Sequence, residues 1–149
     1  MPNPAEKNKS IHSFPKAERI CRKADLQLLF SRSRKHFSHP LVVLTALRPS
    51  RPGEATLQMV AVAPKKKFRK AVSRNQIKRR LKEVFRLQKQ TLWPHVPENA
   101  TLLISLSIVT PQIPNHRETM QGFHRLLNKS VLPYLAEHSS LDAHDAHSS

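Results

Sequence analysis

The sequence predicts an α+β fold, a single small sandwich in which helices pack on a central sheet. Three observations predict it. Apolar residues recur at helical spacing in three segments, three other segments read as strands, and the elements follow the order α-β-β-α-β-α with no internal repeat. At 149 residues the chain has room for one core and short tails.

Lys23 to about Ser33 is the first helix, because Leu26, Leu29 and Phe30 recur three and four residues apart on one stripe. Leu41 to Leu47 and Ala55 to Ala63 are β-rich and are separated by Arg48 to Gly53, whose prolines and glycine suit a turn, so a hairpin is expected. Ala71 to about Thr91 lacks Gly and Pro and sets Ile77, Leu81, Val84, Phe85 and Gln88 on one face, which makes it the longest helix. Thr101 to Val109 alternates as a strand, with Leu102, Ile104, Leu106 and Ile108 on one side and Leu103, Ser105, Ser107 and Val109 on the other. Asn115 to Glu137 carries Met120, Phe123, Leu127 and Val131 on the stripe of a closing helix interrupted near Pro133. Residues 1–18 and 138–149 are polar and read as flexible tails, which leaves 19–137 as the folded domain.

The chain carries 26 Lys and Arg against 10 Asp and Glu, a net charge of +16 that calls for a polyanionic partner. The apolar runs Leu41 to Leu47 and Leu102 to Val109 fall well short of the roughly 20 residues of a spanning helix. Met1 to Phe14 has no apolar stretch of the secretory kind, so no membrane partner is expected and the cytoplasm is the default location. Gly53 and Gly122 are the only glycines, which excludes the Gly-rich phosphate loops of nucleotide-binding folds. A single cysteine, Cys21, gives no internal disulfide or multi-Cys zinc site. His138, His144 and His147 with Asp142 and Asp145 offer no more than adventitious metal binding. Trp93 is expected to pack over the end of the long helix, and His36 and His39 face either solvent or RNA.

The charge is concentrated. Twelve basic residues lie between Lys65 and Gln90, opposed only by Glu83. At about 100° per residue, Lys78, Lys89, Lys82, Asn75, Arg86 and Arg79 share one arc of the helix beside its apolar stripe. Solvated charged helices usually interleave acids for i,i+4 pairs, and this one does not. It therefore reads as a nucleic-acid face, although the pattern alone does not separate DNA from RNA.

Lys65-Lys66, Arg74-Asn75, Ile77-Lys78-Arg79 and Lys82-Glu83-Val84-Phe85-Arg86 closely resemble the signature of the bacterial ribonuclease P protein component, and a weaker likeness runs from about Arg19 to Lys129. The resemblance implies an accessory subunit of an endoribonuclease that removes the 5′ leader of precursor tRNA. Its partners would be a catalytic RNA and the precursor, with no protein partner required, and the chemistry would belong to Mg²⁺ bound mainly by the RNA. It implies RNA contacts by Lys65, Lys66, Arg69, Lys70, Arg74, Asn75, Lys78, Arg79, Arg80, Lys82 and Arg86. It also implies a leader cleft at Phe30, Leu26 and Leu44, and a left-handed crossover for the strand, helix, strand unit against the usual right-handed rule. No catalytic residue or metal ligand is assigned to the protein. A two-metal nuclease needs converging carboxylates, and the central third has only Glu54, Glu83 and Glu98.

Three positions depart from the family pattern. Gln76 stands where Arg is usual, and Arg80, one turn later, is expected to restore part of the charge. Leu26 and Leu44 replace cleft aromatics, which leaves Phe30 to stack on a base, with a core role as its alternative. Val60 occupies a strand position where Gly is common. The rival readings are a ribosomal protein or general RNA chaperone, a DNA-binding protein, and a metal-independent nuclease using histidines.

Overall fold

The computed structural model describes residues 16–137, so the tail assignments at 1–15 and 138–149, including the histidine-rich end, lie outside the described residues. The elements are α1 (Lys23–Ser31), β1 (Arg34–Ser38), β2 (Leu41–Pro49), β3 (Leu57–Val62), α2 (Ala71–Leu92), β4 (Ala100–Ile108) and α3 (His116–Leu126). Lys16–Glu18, assigned to the tail by composition, instead form a 3-10 turn.

The α+β prediction holds, and the sheet differs from it in two ways. Its order is β1-β2-β4-β3, with β4 antiparallel to β2 and parallel to β3. The expected hairpin between β2 and β3 therefore does not form, because β4 lies between them. Both ends of the intervening loop bond to the β4 side: Ser50 N donates to Asn99 O at 2.9 Å and Leu102 N to Thr56 O at 2.8 Å. The physical reason is in β4 itself. It is buried on both faces along almost its whole length, with Thr101, Leu103 and Ser105 covered on the second face as well as Leu102, Ile104 and Leu106 on the first, which suits a central strand. The hairpin that does form joins β1 to β2, and β1 was missed because Arg34 to Ser38 has one apolar residue, Phe37.

The sheet divides two cores. Leu102, Ile104, Leu106 and Ile108 of β4 join Leu41, Val43, Leu57, Met59 and Ala61 in the large core under α2 and α3. On the other face, Leu103 and Ala46 join Ile20 and Leu29 of the α1 side in a small cluster. The predicted stripes of α2 and β4 are both buried as expected. Phe30 leaves the expected α1 stripe and is exposed.

Asn115 caps α3 through its side chain, which accepts from Glu118 N at 2.8 Å. The interruption predicted near Pro133 takes the form of a π turn at Leu127–Val131, just before a proline that has no N–H to donate. Within this turn Ser130 Oγ meets His36 Nδ1 at 2.5 Å, while His36 Nε2 meets Thr45 Oγ1 at 2.7 Å. His36 is thus a core residue, and the RNA contact considered for it is ruled out by burial. Burial, aided by the nearby Arg34 charge, lowers its pKa to about 4.

Two stability outcomes follow. The folded-state pKa of His36 lies below its unfolded value of about 6.5, so its contribution is complete above that pH and is lost as pH falls towards about 4. Chemical denaturation across this window should show that loss in the wild-type chain, and His36→Gln should flatten it. At Gly122, an added Cβ would stand 2.8 Å from His39 O and 2.9 Å from Pro40 Cδ. The helix preference of alanine is worth at most about 1 kcal/mol, whereas forced overpacking costs about 1–3 kcal/mol. Gly122→Ala should therefore shift the denaturation midpoint downward.

Candidate nucleic-acid interface

Helix α2 is built to present charge. Its stripe of Ile77, Leu81, Val84, Phe85 and Gln88 is fixed to the large core, and Gln88 Nε2 adds a hydrogen bond to Met120 O at 3.0 Å. The opposite side is therefore held outward. Asn75, Arg79 and Lys82 are exposed there, Arg86 is half-buried beside them, and Lys78 flanks the row. Eleven residues separate Asn75 from Arg86, so the row runs for about 16 Å.

The loop before α2 extends this surface. Phe68 is buried and pins the loop, Lys67 Nζ donates to Val109 O at 2.8 Å, and Arg74 Nη1 donates to Phe68 O and Arg69 O, each at 2.8 Å. With the loop held from beneath, Lys65, Lys66, Arg69 and Lys70 are all exposed. The first turn of α2 has no acidic residue and no side-chain cap, so its N–H groups and helix dipole favour an anion beside these cations.

Some of the implied contacts have work inside the fold. Arg74 orders the loop, as above. Arg80 Nη1 donates to Pro114 O and ties the loop after β4 to α2, so part of the bonding capacity of the residue expected to compensate for Gln76 goes into a structural bond. Arg86 grips Glu83 at 2.5 and 3.2 Å, and the pair holds the glutamate's pKa down and raises that of the arginine. Lys89, placed on the cationic arc by angle, is instead fully buried. Its Nζ lies 2.6 Å from Glu18 Oε1 and 5.9 Å from the centre of the Trp93 ring, and Trp93, expected to pack over the helix end, is instead exposed beside this pair.

The leader cleft implied for Phe30, Leu26 and Leu44 corresponds to the sheet face that α1 only partly covers. Leu26, Leu44 and Val60 are half-buried against the small cluster, while Phe30 is 54% exposed, which removes its core alternative. Phe37, 62% exposed on β1, shares that face and was not among the expected site residues. The signal for it was the alternation of Arg34 to Ser38 about the inward His36.

The carboxylates are largely committed. Arg48, with its side chain 10% exposed, binds Asp25 at 2.8 and 3.1 Å and Glu54 at 2.7 and 2.9 Å. Its hydrogen bonds hold the Glu54 pKa down. Among the described residues, no group of three or more His, Cys, Asp or Glu side chains is placed to hold a metal ion. Among them also, no helix is long and apolar enough to cross a membrane.

A family profile for ribonuclease P matches residues 14–129, which takes in the basic loop, α2 and the sheet. The chain belongs to the ribonuclease P protein family. A ribonuclease P protein component from Porphyromonas gingivalis is 28% identical over 113 residues, covering 75% of this chain and 82% of that one. Another, from Citrifermentans bemidjiense, is 41% identical over 78 residues, 52% of this chain and 62% of that one. The ribonuclease P proteins of Staphylococcus aureus and Thermotoga maritima share the fold. Their TM-scores are 0.57 and 0.55, each at 23% identity, and the matches cover 76% and 74% of this chain and 94% of each of those. As a ribonuclease P protein component, the chain is a subunit of an endoribonuclease involved with its RNA subunit in processing the tRNA 5′ leader.

Two lysines of α2 separate binding from stability. Lys82→Ala should weaken RNA binding and leave the melting temperature unchanged. Lys89→Ala strands Glu18 and should cost about 3 kcal/mol in denaturation. The salt dependence of RNA binding by the folded Lys89→Ala protein should match wild type, because Lys89 does not face solvent.

Proposed function

We propose that this protein docks on the catalytic RNA of ribonuclease P through the outer row of α2 and the loop before it, and holds the 5′ leader of precursor tRNA on its open sheet face. The observation that carries this reading is the row of outward cations fixed by a buried stripe on the same helix. Lys65, Lys66, Arg69, Lys70, Lys78, Arg79 and Lys82 neutralise phosphates, and Asn75 donates and accepts hydrogen bonds among them. Arg74, Arg80 and Arg86 serve the same surface from positions partly taken up by their own bonds. Phe30 stacks on a leader base above a floor that includes Leu26 and Leu44.

Magnesium, which the family implies, does not fit the carboxylates of the described residues, where no three metal-ligating side chains converge. Asp25 and Glu54 are bound to Arg48, Glu83 to Arg86 and Glu18 to Lys89, on separate parts of the fold. We assign it to the RNA. The protein's part is to bind, neutralise and position, working in the cytoplasm with precursor tRNA.

Reconstitution tests the proposal. Purified protein, its organism's ribonuclease P RNA and a labelled precursor are compared at low Mg²⁺ as RNA alone, protein alone and both. The mixture should cut efficiently at the mature 5′ end. Cleavage by the protein alone would overturn the assignment of chemistry to the RNA, and tight RNA binding without stimulation would point to a chaperone. Neutralising about six phosphates should give RNA affinity a log-log salt slope near −4 to −5.

A further inference from the structure

The strand register lays out the sheet face beneath α1 in rows across the strands. One row runs Ala46, Leu103 and Gln58, and the residues of α1 pack on Ala46 and Leu103. The next runs Lys35, Leu44, Ser105 and Val60. The last runs Phe37, Val42, Ser107 and Val62, each exposed or half-buried. Rows lie about 6.7 Å apart along the strands. Full burial of a phenylalanine is worth about 1.5–3 kcal/mol, and Phe37, at 62% exposure, forgoes most of it.

The surroundings of Phe37 fit a nucleic-acid strand. No position in these three rows is acidic. Lys35 stands two residues away on the same face, and Lys65 and Lys66 follow Val62 after Ala63 and Pro64. A half-buried apolar floor, an exposed ring and cations at two borders match the way unpaired bases are held, by stacking on an aromatic face while the backbone lies against positive charge.

We infer that Phe37 is a stacking residue for a second unpaired base of single-stranded RNA, held on the last row beyond the base taken by Phe30. This rests on the leader reading above and adds a ring that α1 does not supply. The strand then continues across Val42, Ser107 and Val62 to the basic loop at Lys65, so the open face and the α2 surface form one track.

The test uses holoenzyme reconstituted with its RNA subunit and two precursors, one with a single-nucleotide leader and one with a leader of roughly ten nucleotides. Phe37→Ala should weaken binding of the long-leader precursor about tenfold and leave the short-leader precursor and the RNA subunit bound as in wild type. Phe37→Trp should restore the long-leader affinity, and Phe37→Leu, which keeps an apolar side chain without a ring, should not. Wild-type affinity in Phe37→Ala, an equal loss on both precursors, or rescue by Phe37→Leu would overturn the inference. If the wild-type holoenzyme itself binds both precursors equally, the leader reading fails, and the role of Phe37 fails with it.

Discussion

Arg48 lies where several elements meet. From the end of β2 its guanidinium takes both oxygens of Asp25 on α1 and both oxygens of Glu54 before β3, and Glu54 also accepts from Thr101 of β4 at 2.8 Å. A buried guanidinium facing two carboxylates is stable only when its donors are well matched, and here four go to the carboxylates and the fifth to Pro49 O at 3.0 Å. The cluster fixes one end of α1 over the row of Ala46 and Leu103 and no further. How much of the sheet stays open, and whether there is a cleft at all, depends on where this anchor sits.

The same economy governs α2. One helix supplies the large core with a stripe and the surface with a row, and the two are kept apart by angle alone. Where the helix nears its end, the geometry that presents Lys82 turns Lys89 inward, and the fold meets that charge with Glu18 from the turn before α1. The loop ahead of the helix is held by Phe68, Lys67 and Arg74, so the backbone that carries its remaining cations is fixed before any partner arrives, and the entropy lost on binding is confined largely to their side chains.

Periodicity made the helices and β4 legible in the sequence, because each buries a regular stripe. Strand pairing was less so. Proline and glycine between β2 and β3 suggested a hairpin, and the pairing of β4 with both strands, which places it between them, carried more weight in the fold than the loop. β1 escaped notice because its inward residue is the polar His36, whose partners Thr45 and Ser130 are remote in sequence. The basic surface was legible as a composition and a motif, while the bonds that divert Arg74, Arg80 and Lys89 depend on tertiary neighbours that no local pattern reveals. Phe30 shows the same limit from the other side, since its helical spacing with Leu26 and Leu29 does not tell an exposed ring from a packed one.

The central place of β4 also orders events in time. Both β2 and β3 bond to it, and it is the last strand to be synthesised, so the sheet beyond the β1 and β2 hairpin closes only when residue 108 is available. The cationic helix leaves the ribosome before that. During the interval its apolar stripe has no sheet to lie on, and its positive row belongs to a segment not yet oriented by anything, in a setting crowded with RNA. The last strand in the chain, central in the sheet, thus leaves the nascent protein charged before it is shaped.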